Sequence, residues 1–141
     1  MSNYNNFMKK LLHLVSKIHT KGNQFIIEKL KENGAGELAP SHGDILVCLY
    51  LNEKMTMKEI AEKINRTKPT VTVLIDKLEK LGYVKRELSD KDSRFTYIVL
   101  TQKGENFKPI FEKISDELNR ELYKNLSEEE AEILEKLLQK I

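Results

Sequence analysis

Apolar residues recur every three to four positions along most of the chain, as they do in amphipathic helices. The first such pattern runs from about residue 5 to residue 33 and predicts one long helix, which two glycines at positions 34 and 36 end. A second pattern over residues 41–51 is apolar on almost every side. It predicts a short helix at the centre of the core, with Ser41 as its cap.

Two further helices are predicted close together in the middle of the chain. Thr56 and Glu59 form a capping box, in which the hydroxyl and the carboxylate each accept from a backbone N–H at the helix start. That helix ends at residues 65–66, and the next one begins at residues 67–68. Gly82 supplies the left-handed end of the second helix.

A hairpin and two helices are predicted to complete the chain. The chain changes character over residues 83–88, and residues 95–100 are rich in β-branched and aromatic side chains. A polar cluster lies between these segments, which predicts a two-stranded hairpin with a charged tip. Thr101 caps the next helix, and Pro109 either kinks this helix or marks its true start. A second capping box at residues 127–130 opens the last helix.

The predicted fold is mainly α with a small β-hairpin wing, an α+β arrangement. Two short helices joined by a tight turn and followed by a hairpin are typical of a winged helix-turn-helix. We expect an N-terminal dimerisation helix over residues 1–36, a winged helix-turn-helix lobe over 37–101 and C-terminal dimerisation helices over 102–141. Long apolar helices at both ends present more apolar surface than one small domain covers, which favours a homodimer.

Composition excludes several classes of protein. Charged residues make up 33% of the 141 residues and hydrophobic residues 40%. The longest uncharged apolar run covers the seven residues 45–51, whereas a membrane-spanning helix needs about 20. The single cysteine, Cys48, excludes an internal disulfide and is typical of a reducing compartment. We therefore expect a cytoplasmic protein without membrane association.

The charge distribution is more informative than the net charge of +2. Residues 54–94 carry eleven basic and seven acidic side chains, whereas residues 101–141 carry seven basic and ten acidic ones. A basic segment beside an acidic one is typical of a nucleic-acid-binding face. Chance scatter of surface lysines and glutamates is the alternative on charge alone.

The predicted helix over residues 67–81 has an outer side suited to DNA. It offers hydroxyls, lysines and short apolar groups, which can approach base edges in the major groove. In the wing, Arg94 can reach the minor groove, where negative potential concentrates. Asp92 can orient that guanidinium by a charge-assisted hydrogen bond, although an ordinary surface ion pair is the alternative.

Short motifs in the middle of the chain carry a resemblance to a known family: Met57-Lys58-Glu59-Ile60-Ala61, Lys68-Pro69-Thr70-Val71-Thr72, Asp76-Lys77-Leu78-Glu79 with Gly82, Asp92-Ser93-Arg94, and Leu100-Thr101-Gln102-Lys103-Gly104. Over about residues 38–104 the chain resembles the MarR family of transcription regulators. The resemblance implies an obligate homodimer that binds a pseudo-palindromic operator, with a recognition helix in the major groove and the wing in the minor groove. It also implies a ligand-responsive repressor.

The residues expected to contact DNA lie in the recognition helix and the wing: Arg66, Thr67, Lys68, Thr70, Thr72, Val73, Lys77, Lys85, Arg86, Lys91, Asp92 and Arg94. Val73 stands where many family members carry a basic residue, and Ser93 where a second arginine is common. At Lys85 and Arg86 we expect contacts with phosphates.

A small aromatic or phenolic effector is a further partner to expect, in a hydrophobic pocket between the dimer helices and the DNA-binding lobe. We expect no cofactor and no metal, because His13, His19 and His42 lack the i, i+4 spacing of a helical metal site. His42 is either a pocket wall or a helix cap. Cys48 lies in the most apolar helix and is predicted to be a core residue rather than an oxidant sensor.

Two other classes of function remain as alternatives. A winged helix also serves as a protein-interaction module without a DNA site. An enzyme is not expected, because the sequence offers no nucleophile–base pair, no Gly-rich phosphate loop and no paired catalytic carboxylates.

Overall fold

The computed structural model describes residues 10–89 and 94–141. Within them the elements are α1 (Lys10–Glu32), α2 (Pro40–Leu51), β1 (Met55–Thr56), α3 (Met57–Ile64), α4 (Lys68–Lys80), β2 (Val84–Leu88), β3 (Thr96–Leu100), α5 (Gln102–Tyr123) and α6 (Glu128–Gln139). The predicted order of helices and hairpin is confirmed. Residues 5–9 of the predicted first helix lie outside the described residues.

The predicted caps of α3 and α6 are confirmed. At the start of α3 the Glu59 N–H donates to Thr56 Oγ1 at 3.1 Å, and the Thr56 N–H donates to Glu59 Oε1 at 3.3 Å. At the start of α6 the Ser127 N–H donates to Glu130 Oε1 at 2.9 Å and the Glu130 N–H donates to Ser127 Oγ at 3.1 Å. Each box satisfies two backbone donors that a helix start leaves without partners.

The prediction that Ser41 caps α2 is wrong. The helix begins one residue earlier, at Pro40, and its N-cap is Ala39. Proline fits this first turn because its missing N–H has no helical partner there. The cap is supplied from inside the helix, since the Ala39 N–H donates to Nδ1 of His42 at 2.8 Å. Of the two roles expected for His42, the structure supports the cap.

Pro109 does not begin α5. The helix starts at Gln102, and the Thr101 hydroxyl accepts from the Gly104 N–H at 3.2 Å. The same hydroxyl donates to the Gly82 carbonyl oxygen at 2.5 Å. Thr101 therefore caps α5 as predicted and also ties its first turn to the end of α4.

The sheet has a third strand that the sequence did not indicate. The strand order is β1-β3-β2, and both pairs are antiparallel. Met55 pairs with Ile98 on one side of β3, and Arg86 pairs with the same residue on the other. A strand of two residues is too short to show the alternation on which a sequence-based prediction depends.

The core lies between the helix-turn-helix, the sheet and the buried side of α2. Its most enclosed side chains are 2% exposed or less: Ile45, Leu46, Ile60, Val71, Ile75, Leu78, Val84 and Ile98. The expectation that α2 is central on all sides is wrong in part, because Leu51 is 76% exposed and Val47 39%. Among the helices described, none is long and apolar enough to cross a membrane.

The terminal helices pack on this core unevenly. The second half of α1 lies along α5, where Lys29 Nζ is 3.2 Å from Glu117 Oε2. The first half of α1 is exposed, including the apolar side chains Leu11, Leu12, Leu14, Val15 and Ile18. No residue of α6 is buried within the described chain.

Candidate nucleic-acid interface

Helices α3 and α4 form the helix-turn-helix, and their turn has a defined geometry. Asn65 ends α3 with a φ of 55°, in the left-handed region. The Arg66 N–H donates to the Ala61 carbonyl oxygen at 3.1 Å, which closes the turn. Arg66 itself is exposed and stands directly before the N-cap of α4. The turn therefore presents a cation beside the start of the recognition helix.

The two sides of α4 differ sharply. Val71, Ile75 and Leu78 are fully buried against the core. On the outer side, residues 70, 73 and 77 follow the i, i+3, i+7 spacing of one helix face and are exposed. Val73 is 69% exposed in the middle of this stripe. We call Thr70, Val73 and Lys77 the outer stripe.

The threonines of α4 are not equivalent. The hydroxyls of Thr67 and Thr70 lie 2.9 Å apart and both side chains are exposed. Thr72 is half-buried, its hydroxyl donates to the Lys68 carbonyl oxygen at 2.9 Å, and it lies 3.1 Å from Met57 Sδ. Thr72 is therefore less accessible than Thr67 and Thr70, because it is half-buried beside Met57, and its contact with DNA stays a prediction. Lys68 is exposed at the first position of the helix.

Two neighbouring cations of the wing have different surroundings. Arg86 Nη2 donates to Asp76 Oδ1 at 2.7 Å, and Nη1 donates to Glu79 Oε1. The hydrogen bond to Asp76 is the main cause that raises the pKa of Arg86 above its ordinary value. Lys85 is exposed and makes no ion pair with any other described residue. Phosphate contact by either residue stays a prediction, but only Lys85 is available without breaking ion pairs.

The partners of Arg86 were not predicted from the sequence. Asp76 and Glu79 are three positions apart on α4, so they share one face of that helix. The sequence does contain a sign of this contact, namely two acidic residues three positions apart on a helix and an arginine in the strand that follows. Only the packing of β2 against α4 brings them together.

The tip of the wing is partly described. The Ser89 N–H donates to the Phe95 carbonyl oxygen at 3.0 Å and holds the two strands together at the base of the tip. Arg94 is exposed at this base. Lys91 and Asp92, which were predicted to contact DNA with it, lie outside the described residues.

A cavity of about 190 Å³ lies between α1, α2 and α5, where the sequence predicted an effector pocket. Its wall is mainly apolar and includes Leu30, Leu46 and Phe111. Asp44 and Ser115 are polar residues of the lining. Burial raises the pKa of the Asp44 carboxyl, against the opposing effect of the charges on Arg66 and His19.

The remaining candidate groups are structural. Burial lowers the pKa of His42, and the positive charge of Lys77 lowers it further. Cys48 is buried, as predicted for a core residue, and burial raises the pKa of its thiol. Over residues 10–89 and 94–141, no three His, Cys, Asp or Glu side chains are grouped so as to hold a metal ion.

Comparison with known proteins supports one family throughout. The MarR family model matches residues 38–96. The HTH-type transcriptional regulator SarZ of Staphylococcus aureus strain USA300 is 36% identical over 87 residues, which are 62% of this chain and 57% of SarZ. SarZ of Staphylococcus haemolyticus is 35% identical over 74 residues, 52% of this chain and 50% of that protein. The chain thus matches little more than half the length of these curated relatives.

Solved structures extend the likeness over nearly the whole chain. Staphylococcus aureus MepR in complex with DNA is 31% identical, covers 91% of this chain and 93% of its own, and superposes with a TM-score of 0.81. A mutant of E. coli MarR complexed with operator DNA covers 99% of this chain and 98% of its own, with a TM-score of 0.82. At 24% identity this second likeness shows the fold. The family model, the curated relatives and the solved structures agree, and the chain belongs to the MarR family.

Proposed function

We propose that this protein is a homodimeric, sequence-specific DNA-binding transcription regulator that represses from a pseudo-palindromic operator in response to a ligand. The observation that carries the proposal is the outer stripe of α4, which is exposed beside a cationic turn and a basic wing strand. The relatives point the same way, because SarZ is named a transcriptional regulator and the MepR and MarR structures contain DNA. These names also agree with the expectation that the chain is not an enzyme.

The outer stripe supplies the chemistry that base recognition needs. A lysine donates to guanine acceptors, a threonine hydroxyl bonds to either kind of base edge, and valine methyls contact the thymine methyl group. Val73 is 69% exposed and is therefore accessible for such a contact. Arg66, Thr67 and Lys68 stand at the helix start, where they suit phosphates next to the groove.

The wing would complete each half-site from the minor groove. Arg94 is the residue expected to enter it, since a narrow minor groove concentrates negative potential. Lys85 suits the adjacent phosphates. Operator binding requires the compartment that holds the chromosome, which in bacteria such as those of the relatives is the cytoplasm.

The dimer is supported by the apolar side chains left exposed at both chain ends. In α6 the exposed set is Ile133, Leu134, Leu137 and Leu138, and the first half of α1 adds five more apolar residues. Exposed apolar residues grouped on one helix in this number are typical of a protein interface. We therefore assign residues 1–36 and 102–141 to dimerisation and 37–101 to DNA binding. A two-fold axis would place two recognition helices about 34–36 Å apart, one turn of DNA.

A fluorescence-anisotropy titration tests the proposal. The protein is titrated against the DNA upstream of its own gene and against a scrambled duplex of equal length, at about 50 and 200 mM salt. Six to ten phosphate contacts predict a loss of about 10³–10⁵ in affinity between these concentrations. At the higher salt we expect promoter binding at least a hundredfold tighter than scrambled binding. Weak and equal binding to both duplexes would place the operator elsewhere.

The same titration decides the alternative function. A monomer that binds neither duplex, even at 50 mM salt, would contradict the proposal and favour a protein-interaction module. Arg94→Ala should weaken operator binding at least tenfold and leave the oligomeric state unchanged. Unchanged operator affinity would remove the wing arginine from the mechanism.

The cavity between α1, α2 and α5 supports a small aromatic effector. Its volume of about 190 Å³ suits a single ring, since an apolar cavity of about 150 Å³ in another protein binds benzene. Its walls come from two helices assigned to dimerisation, α1 and α5, and from α2 of the DNA-binding lobe. A ligand that binds one arrangement of these helices more tightly would therefore shift the spacing of the recognition helices.

Filling the cavity tests this effector site. Ser115→Leu places an apolar side chain in the lining, and Ser115→Ala is the matched control that leaves the space open. With a panel of single-ring phenols, calorimetry should show binding to the wild type and to Ser115→Ala, and loss of binding in Ser115→Leu. Equal binding to all three proteins would place the ligand elsewhere.

A further inference from the structure

One arginine connects the wing to the recognition helix. The Arg86 guanidinium extends from β2 and donates one nitrogen to Asp76 and the other to Glu79, both on α4. Its side chain is one-third exposed, with 33% of its surface accessible. Arginine suits this place because its planar fork meets two carboxylates at once, whereas lysine offers a single point charge.

Strand geometry explains why Arg86 takes this role and Lys85 does not. Successive side chains of a strand point to opposite faces. Arg86 therefore shares a face with Val84, which is 2% exposed, and pairs across the sheet with Ile98, which is 1% exposed. At Val84 and Ile98 that face packs into the core, whereas Leu88 at the other end of the strand is 63% exposed. Lys85 lies on the other face and is exposed.

The two carboxylates place negative charge on a helix that is proposed to bind DNA, which is itself negatively charged. Asp76 and Glu79 lie three residues apart on α4, and their side chains are 58% and 40% exposed. Unpaired, they would repel each other and any nearby phosphate. Arg86 compensates for both, and doing so leaves its guanidinium without the freedom that a phosphate contact requires.

We propose that Arg86, Asp76 and Glu79 form a clamp that fixes the wing relative to the recognition helix, so that Arg86 acts as a positioning residue for operator recognition. This rests on the proposed DNA-binding function. A held wing lets Arg94 and the outer stripe meet the minor and major grooves in a single register. Arg86 contributes to specificity by setting that register, and Lys85 supplies the phosphate contact of this strand.

Removing the charges of Asp76 and Glu79 distinguishes two possible roles of Arg86, a positioning residue and a phosphate contact. Asp76→Asn/Glu79→Gln keeps the side-chain shapes, raises the net charge by two and releases Arg86. If Arg86 is a positioning residue, the ratio of operator to scrambled affinity falls about threefold to tenfold, as expected for exposed ion pairs that are weak one by one. If Arg86 is instead a phosphate contact that the two carboxylates prevent, the variant binds both duplexes more tightly and the ratio of operator to scrambled affinity is unchanged.

The salt dependence of binding gives an independent readout. The slope of log affinity against log salt falls by about one when a phosphate contact is lost. We expect Lys85→Ala to lower the slope in this way. Arg86→Ala should lower the specificity ratio and keep the wild-type slope. Equal loss of slope in both variants, or no change of ratio in either clamp variant, would overturn the proposal.

Amide hydrogen exchange tests the clamp without DNA. In Arg86→Ala and in Asp76→Asn/Glu79→Gln, exchange over residues 84–88 should be about threefold to tenfold faster than in the wild type, and in Lys85→Ala it should be unchanged. Unchanged exchange in the clamp variants would overturn the proposal even if the wild type bound its operator. If the wild type binds no DNA but exchange responds as expected, the proposed function fails and the clamp remains as a structural element.

Discussion

The DNA-binding lobe and the chain ends carry the same kind of apolar periodicity but differ in what covers it. In the lobe, Ile60, Val71 and Ile75 are fully buried within a single chain. In α6 no residue is buried, although Leu134 and Leu137 follow the same helical spacing. The lobe closes its own core, whereas the ends present an apolar face that residues 10–89 and 94–141 of one copy leave exposed. Periodicity therefore indicates which side of a helix is apolar and says nothing about which molecule covers it.

The largest effect is expected in the core of the lobe. Ile75→Ala removes a fully buried side chain of α4. Transfer and cavity costs for such a change are about 2–5 kcal/mol, so urea denaturation should show a loss of this size in the free energy of unfolding. Val73→Ala, on the exposed side of the same helix, is the control and should change it by less than about 0.5 kcal/mol. Equal losses of unfolding free energy in the two variants would contradict the burial of one side of α4 and the exposure of the other.

The next effect should appear at the chain ends and should depend on concentration. Leu134→Ala/Leu137→Ala removes two exposed apolar side chains of α6. Since a few residues carry most of the binding energy of an interface, we expect the dissociation constant of the proposed dimer to rise at least a hundredfold in sedimentation equilibrium. Lys136→Ala, on the same helix, is the control and should leave it unchanged. An unaltered dimer in the double variant would show that this face is not the interface.

A smaller loss is expected where α5 meets the lobe. A Cβ on Gly104 would lie 2.3 Å from the Tyr83 carbonyl oxygen and 2.9 Å from Leu100 Cδ2. Gly104→Ala should therefore cost about 1–3 kcal/mol in the free energy of unfolding, despite the better helix propensity of alanine. Glu112→Ala, at an exposed position in the same helix, is the control. A stabilised Gly104→Ala protein would contradict this close approach.

The smallest effect concerns pH. His42 accepts the Ala39 N–H through Nδ1, which requires a neutral imidazole, and its pKa is lowered below the ordinary value of 6.5. The unfolded chain therefore binds the proton more readily, so this stability is complete above pH 6.5 and is lost as the pH falls through the lowered pKa. The loss should be about 1 kcal/mol, the worth of one hydrogen bond.

Denaturation of the wild type and of His42→Gln at pH 7.5 and 5.5 measures this contribution. The amide of the variant does not titrate in this range, so the difference in stability between the two pH values should be smaller than in the wild type. The same difference in both proteins would assign the pH dependence to other groups.

Local features were the easiest to predict from the sequence. Thr56 and Ser127 open their helices as expected, because a capping box needs only residues three positions apart. The cap of α2 was predicted wrongly, since it depends on the side chain of His42 reaching back to Ala39. Strand β1 was missed because its two residues form a strand only through pairing with β3.

In the candidate site, too, some features could be predicted from local sequence and others depend on tertiary packing. The outer stripe follows from helical spacing, and its exposure agrees with the prediction. Thr72 belongs to the same helix but is half-buried beside Met57, a neighbour 15 positions away. The partners of Arg86 are seven and ten positions away. Contacts of this kind depend on how α4 and the sheet pack, which no local pattern encodes.

The sequence by itself determined the order of the helices and the hairpin, most of the helix ends and the apolar side of each helix, because these depend on interactions within a few residues. Tertiary structure decided which cations remain available to a partner and which are already paired. Lys85 and Arg86 are adjacent in the sequence and carry the same charge. The alternation of side chains in β2 turns Arg86 towards two carboxylates of α4 and leaves Lys85 on the other face, so only their three-dimensional surroundings distinguish a cation held in ion pairs from an exposed one.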